Sequence, residues 1–173
     1  MKPIILLSGP VGAGKTTVAR ELVACSAGPI TYIEGDTFWS HLVRRSDQLP
    51  RQKNFKMIMT AMVAAAMPYA LYGYETLLDF SIPPWFLETA DKVVQRKEVP
   101  MDYVVLRPAE SICAARCAGR AEGTINDYGP YLDLYAEFKD VNRRHLVLNN
   151  GNKPAAAALQ IREGLDEGKF RLL

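Results

Sequence analysis

The sequence predicts an α/β fold, a five-stranded parallel sheet with helices on both faces. Three observations lead there. Five short aliphatic and β-branched runs alternate with longer stretches of helical periodicity, the order of strands joined by crossover helices. The runs are almost wholly apolar, as strands covered on both sides must be. A glycine-rich turn separates the first run from the first helical stretch, giving the strand–turn–helix order of a ligand-cradling loop.

The strands are expected at residues 4–8, 30–34, 76–80, 103–107 and 145–149. After the first, Val18, Ala19, Leu22 and Val23 mark one face of a helix, and Phe55, Ile58, Met59, Met62 and Ala66 mark a second. Its most apolar part, 57–67, is bounded by Lys53, Lys56 and Pro68. That is well short of the ~20 residues a membrane-spanning helix needs, so it reads as a core helix. Pro83 and Pro84 open a third helix carrying Phe86, Leu87, Ala90, Val93 and Val94; Pro154 opens the last, behind a polar cap at Asn152. With 173 residues, 49% hydrophobic content and no repeat or linker, residues 1–173 read as a single domain.

A formal net charge of +2 gives no global reason to expect a nucleic-acid or membrane partner. Cys25, Cys113 and Cys117 are odd in number and have no zinc-type spacing, so they read as buried small hydrophobes in a reducing compartment; Cys113 and Cys117 would share a helix face. The apolar run at 4–7, behind a single lysine, is too short for a signal peptide, and a cytosolic protein is expected.

Residues Gly9-Pro10-Val11-Gly12-Ala13-Gly14-Lys15-Thr16 fill every position of the phosphate-binding loop G-x-x-x-x-G-K-[ST], with the strand before it and the helix after it that the motif requires. Glycines let backbone N–H groups approach phosphate oxygens that a side chain would hold off. Lys15 is expected on the β- and γ-phosphates, Thr16 on Mg²⁺, and Thr17 as an extra phosphate contact. A nucleoside triphosphate is therefore the expected ligand. Asp36 follows the second strand and Asp79 ends the third, both at strand C-termini where open α/β sheets bind ligands. Asp79 closes an apolar run as a magnesium-holding carboxylate would. Asp36 is placed to take a proton from an acceptor hydroxyl or to cap a helix at Thr37, and the two aspartates could exchange roles.

The phosphate loop near residue 10 together with Gly35-Asp36 resembles the small P-loop kinases, above all the gluconate-kinase-like and chloramphenicol-phosphotransferase-like group, and more distantly shikimate kinase and the zeta-toxin kinases. The resemblance implies a P-loop NTPase three-layer sandwich with a helical lid at about 110–130. It implies ATP with Mg²⁺ as the phosphoryl donor and transfer to a hydroxyl of a small molecule. Arg116 and Arg120, four apart, fit the lid arginines that close over the phosphates, and Asn150 falls in the loop that surrounds the adenine. Tyr128, Tyr131 and Tyr135 form a stripe expected to pack as core. Phe38 and Trp39, in place of the polar grip of gluconate and shikimate kinases, suggest an apolar or stacking acceptor pocket. Arg44, Arg45, Arg51, Lys53 and Lys56 face only Asp47, a solvated surface or an anion site. Two further readings stay open: a nucleotide-dependent switch without a small acceptor, and a kinase of nucleic-acid 5′-hydroxyls.

Overall fold

The computed structural model describes residues 1–43, 49–151 and 153–172. In chain order its regular elements are β1 (Ile4–Ser8), α1 (Lys15–Ala24), β2 (Ile30–Glu34), α2 (Thr37–Ser40), α3 (Arg51–Leu71) and β3 (Glu75–Asp79). They are followed by α4 (Leu87–Val94), β4 (Met101–Leu106), α5 (Glu110–Ala118), α6 (Leu132–Ala136), β5 (Leu146–Val147) and α7 (Pro154–Asp166). All strand pairs are parallel and the sheet order is β2-β3-β1-β4-β5.

Successive strand residues point to opposite faces, and the central strands β1, β3 and β4 are buried on both, which is why they read as largely apolar runs, whereas the edge strand β2 is half-buried throughout. Ile4, Leu6, Leu78 and Val105 pack with Met59, Met62, Ala66 and Phe86 on the α3–α4 side. Ile5, Leu7, Leu77 and Val104 pack with Val18, Leu22, Ala157 and Ile161 on the α1–α7 side. The register pairs Leu7 with Asp79 and Asp79 with Glu34, so the C-terminal ends of β1, β3 and β2 lie level. β1 lies between strands reached by crossovers in opposite directions, and that switch point is where an open sheet leaves a crevice for a ligand.

Several boundaries differ from expectation. β3 starts one residue earlier and β4 two, while β5 keeps only Leu146 and Val147 in the ladder. His145 instead closes a 3-10 turn, and Asn149 leaves the ladder to bond the phosphate loop. α3 runs three residues past Pro68; the proline has no N–H to give the Ala64 carbonyl, but its own carbonyl accepts from Tyr72 N–H at 3.0 Å and closes the last turn. The proline pair opens a short 3-10 turn, Pro84–Phe86, ahead of α4. Cys113 and Cys117 are buried as expected, but Cys25 is exposed at the end of α1. Arg44, Arg45, Asp47 and the cap at Asn152 lie outside the described residues. Among the described residues no helix is long and apolar enough to cross a membrane.

Candidate nucleotide-binding and phosphoryl-transfer site

The loop after β1 is held from behind by side chains of distant segments, each donating to a backbone carbonyl. Ala13 O accepts from Arg116 Nη1 at 3.1 Å and from Asn149 Nδ2 at 2.7 Å. Val11 O accepts from the Tyr128 hydroxyl at 2.7 Å. Lys15 Nζ curls back onto Gly9 O and Pro10 O at 3.2 and 3.1 Å. With these carbonyls satisfied, the N–H groups at the start of α1 are the loop's unspent valence. No side chain caps the helix at Gly14, and no acidic residue stands in its first turn. Gly12 shows why the motif needs glycine: φ is +79°, and a Cβ there would lie 2.3 Å from the Cys113 carbonyl oxygen and 2.8 Å from Cys117 Sγ. The two buried cysteines serve as the small floor on which the loop sits.

Asp79, 4% exposed, accepts from Thr16 Oγ1 at 2.7 Å and from the Tyr32 hydroxyl at 3.1 Å, both on Oδ2. Burial pushes its carboxyl up, against the pull of Lys15 and of the two hydrogen bonds. Burial likewise pushes the Lys15 ammonium down, with Asp79 and Asp36 opposing and Arg120 adding to the shift. The four charges therefore share one electrostatic neighbourhood. They line a single cleft of about 950 Å³, along with Arg116 and Asn149.

Asp36 occupies the N-cap position of α2, but its backbone is helical and its side chain makes no capping bond. The helix is started by the Thr37 hydroxyl on Glu34 O at 2.6 Å, which leaves the exposed Asp36 carboxylate in the cleft. Gly35 makes that turn possible, since a Cβ there would meet the Phe80 ring at 2.6 Å.

Three expectations are corrected. Arg116 and Arg120 do not share a helix face: α5 ends at Ala118, and Arg120 lies exposed beyond Gly119, though both arginines line the cleft. Arg116 donates to Ala13 O and, at 2.9 Å, to Asn149 O, so its guanidinium braces the loop. Asn150 Oδ1 accepts from Ala109 N–H at 2.7 Å, tying the turn after β5 to the start of α5 rather than standing free for a base. Phe38 and Trp39 pack against the core on the α3 side and do not line the cleft among the described residues. Phe38 stacks on His41, and Trp39 leans on Phe55, which in turn leans on Phe80. The tyrosine stripe packs as expected, Tyr128 against Tyr131 and the cysteines, with the Tyr135 hydroxyl on Pro108 O at 2.9 Å.

Sequence reasoning missed Asn149 and Tyr32, and it missed the hydroxyl of Tyr128. A polar residue ending an apolar run was the one signal for Asn149. Nothing in the spacing marked Tyr32.

A family model described as "AAA domain" matches residues 4–128, from β1 through Tyr128, and so takes in the phosphate loop, both aspartates and both arginines. The chain belongs to this AAA-domain family of P-loop proteins. Its fold recurs in solved structures of low sequence identity. A sugar kinase from a Janibacter species superposes with a TM-score of 0.74 at 14% identity, over 96% of this chain and 95% of the other. The tunicamycin resistance protein of Deinococcus radiodurans gives 0.72 at 18% identity, over 95% and 96%. The Mycobacterium tuberculosis APS kinase in complex with AMPPNP and APS gives 0.71 at 16% identity, over 95% and 98%. This AAA-domain chain thus has the P-loop kinase fold over the 95–96% of its length that superposes. No curated protein matches it in sequence.

Proposed function

We propose that the protein is a phosphotransferase that moves the γ-phosphoryl group of ATP to a hydroxyl of a small molecule. The observation that carries this reading is the uncapped Asp36 carboxylate, which shares one cleft with the phosphate loop and with Asp79. A hydrolytic switch must position a water and a kinase an acceptor hydroxyl; a carboxylate free of capping duty beside the phosphate loop can orient or deprotonate that hydroxyl. The similarity of fold to a sugar kinase and an APS kinase supports the same reading.

The loop N–H groups and the start of α1 bind the phosphates, with Thr17 at the rim. Lys15 leaves the Gly9 and Pro10 carbonyls to reach the transferred group. Thr16 Oγ1 and Asp79 Oδ2, 2.7 Å apart, are two hard oxygen donors suited to Mg²⁺. Among the described residues no group of three or more His, Cys, Asp or Glu could hold a metal, so the remaining ligands would be phosphate oxygens and water. When bound, the ion neutralises charge on the phosphates. Asp36 accepts the proton of the attacking hydroxyl. Arg120, exposed at the mouth of the cleft, draws toward the transferred group, while Arg116 holds the loop beneath it.

The test is consumption of Mg·ATP by the purified protein against pools of sugars, sugar acids, nucleosides and hydroxylated antibiotics, with product masses read for one added phosphate. One pool is expected to accelerate consumption and yield a phosphorylated compound. Asp36→Asn should then slow transfer by about 10²–10⁴-fold. Consumption that no pool changes, but that a protein partner increases, would contradict the proposal in favour of a switch.

A further inference from the structure

A second cavity, of about 410 Å³, shares no lining residue with the phosphate cleft among the described residues; Gln52, Lys53 and Lys56 of α3 line it with Trp85 and Glu137. All five lining residues are exposed, so it is an open groove, with a volume in the range of small-molecule sites, about 300–1,000 Å³.

Two features of its wall are unfavourable while it is open to water. Lys53 and Lys56, both exposed, stand three residues apart on one face of α3, where like charges repel weakly. Among the described residues neither ammonium has a hydrogen-bond or ion-pair partner. Glu88 is near enough to Lys56 to feel its charge, but it is already paired with Lys92. The second feature is Trp85, which leaves 46% of its surface exposed. Its Nε1 donates to Glu137 Oε2 at 2.7 Å, and Phe86 stands edge-on at 89°, so the plane of the indole is set before anything binds. Phe55, between the two lysines in sequence, turns away onto Trp39 and Phe80 and leaves the cavity to the lysine stems and the indole.

We propose that this cavity is a second ligand site that takes a flat apolar molecule bearing one anionic group. The ring lies on the Trp85 indole, whose rotamer freedom is already reduced by the hydrogen bond to Glu137 and the edge contact with Phe86. The anionic group lies between Lys53 and Lys56 and relieves their repulsion. Glu137 sets the direction of entry, since its carboxylate at the indole end repels the anion toward the lysine end. Two ammoniums against one carboxylate, itself occupied by the indole, turn away a cationic ring. The proposal does not depend on what the phosphate cleft does.

The test is calorimetric titration of the full chain with three probes of one shape and different charge: 2-naphthalenesulfonate, 2-naphthalenemethanol and 2-naphthylmethylammonium. The sulfonate is expected to bind at least about tenfold more tightly than the alcohol, and the ammonium weakest. Replacing both lysines, Lys53→Gln with Lys56→Gln, should weaken the sulfonate about tenfold and leave the alcohol unchanged. Trp85→Leu should weaken both, and Trp85→Phe, which keeps a ring, should restore most of the loss. Saturating Mg·ADP should leave sulfonate binding intact. Equal affinity for the three probes, indifference of the sulfonate to the lysine pair, or its displacement by Mg·ADP would each overturn the proposal.

Discussion

The phosphate side of the cleft and the segment that follows Asp36 are held by different physics. On the phosphate side, Arg116, Asn149, Tyr128 and Thr16 come from four parts of the chain and make hydrogen bonds of 2.7–3.1 Å, three of them onto the loop itself. Past Asp36, hydrogen bonds such as Thr37 Oγ1 to Glu34 O and Ser40 Oγ to Thr37 O, both 2.6 Å, stay within the local turn. Ring packing with centroids 5.3–6.2 Å apart joins Phe38 to His41 in that turn and carries the contact to distant segments, from Trp39 to Phe55 and from Phe55 to Phe80. Directional bonds fix atoms to a fraction of an ångström, as a single recurring group such as a phosphate requires. Ring packing tolerates exchange of shape and volume. One side is built to hold one chemical group in one place; the other can be altered to change what is held beside it.

Gly12→Ala strikes the directional side hardest. It forces a left-handed backbone onto alanine and drives a Cβ into the Cys113 carbonyl, a strain and overpacking cost of about 2–5 kcal/mol. The thermal midpoint is expected to fall by several degrees, and added Mg·ADP should no longer raise it.

Asp79→Asn separates function from folding. Because burial raises the Asp79 pKa in the folded state, the charged carboxylate opposes folding at neutral pH, and that penalty is relieved as the pH falls through the folded pKa. The midpoint of Asp79→Asn relative to the wild type should therefore be highest near neutral pH and decline on acidification, while Mg²⁺-dependent turnover is lost. Parallel melting curves from neutral pH down to about pH 5 would show it. A gap that widens on acidification would reverse the sign of the argument.

Tyr128→Phe removes the donor to Val11 O and the hydroxyl's hydrogen bond with Cys113; denaturant melts should show a loss of about 1–2 kcal/mol with a weaker grip on nucleotide. Phe38→Leu, on the packed side, gives up the stack on His41 but is expected to leave Mg·ADP affinity within about twofold by titration calorimetry, since Phe38 packs against the core and is not among the described residues that line the cleft. A large loss there would dissolve the contrast between the two sides.

The same contrast decides what was legible in the sequence. The phosphate loop could be read because its glycines answer to backbone geometry, a local property, and Asp36 and Asp79 could be read because strand ends are local too. The central strands β1, β3 and β4 were visible because both of their faces are buried, and the half-buried edge strand β2 because its Ile30, Tyr32 and Ile33 favour a strand. Asn149 and Tyr32 could not be read, since each acts on a group far along the chain, Ala13 and Asp79, and only the folded register of β1, β2, β3 and β5 brings them together. Arg120 was misplaced for a related reason: four-residue spacing implies a shared helix face only while the helix lasts, and α5 ends at Ala118. Phe38 and Trp39 read as an acceptor surface because aromatic residues beside a strand end serve as well for packing as for binding, and here the Phe55 ring on α3 claims Trp39.

The division of the cleft into a nucleotide side and an acceptor side can be measured directly as the affinity of Mg·AMPPNP for the wild type, Lys15→Ala and Asp36→Asn by titration calorimetry. Loss of the Lys15 charge should weaken binding about 10–100-fold, the worth of a charge-assisted hydrogen bond. Asp36→Asn should stay within about twofold of the wild type, because its carboxylate serves the acceptor and not the nucleotide. If Asp36→Asn lost as much affinity as Lys15→Ala, Asp36 would belong to the metal–nucleotide shell, and the assignment of an acceptor side to this cleft would be wrong.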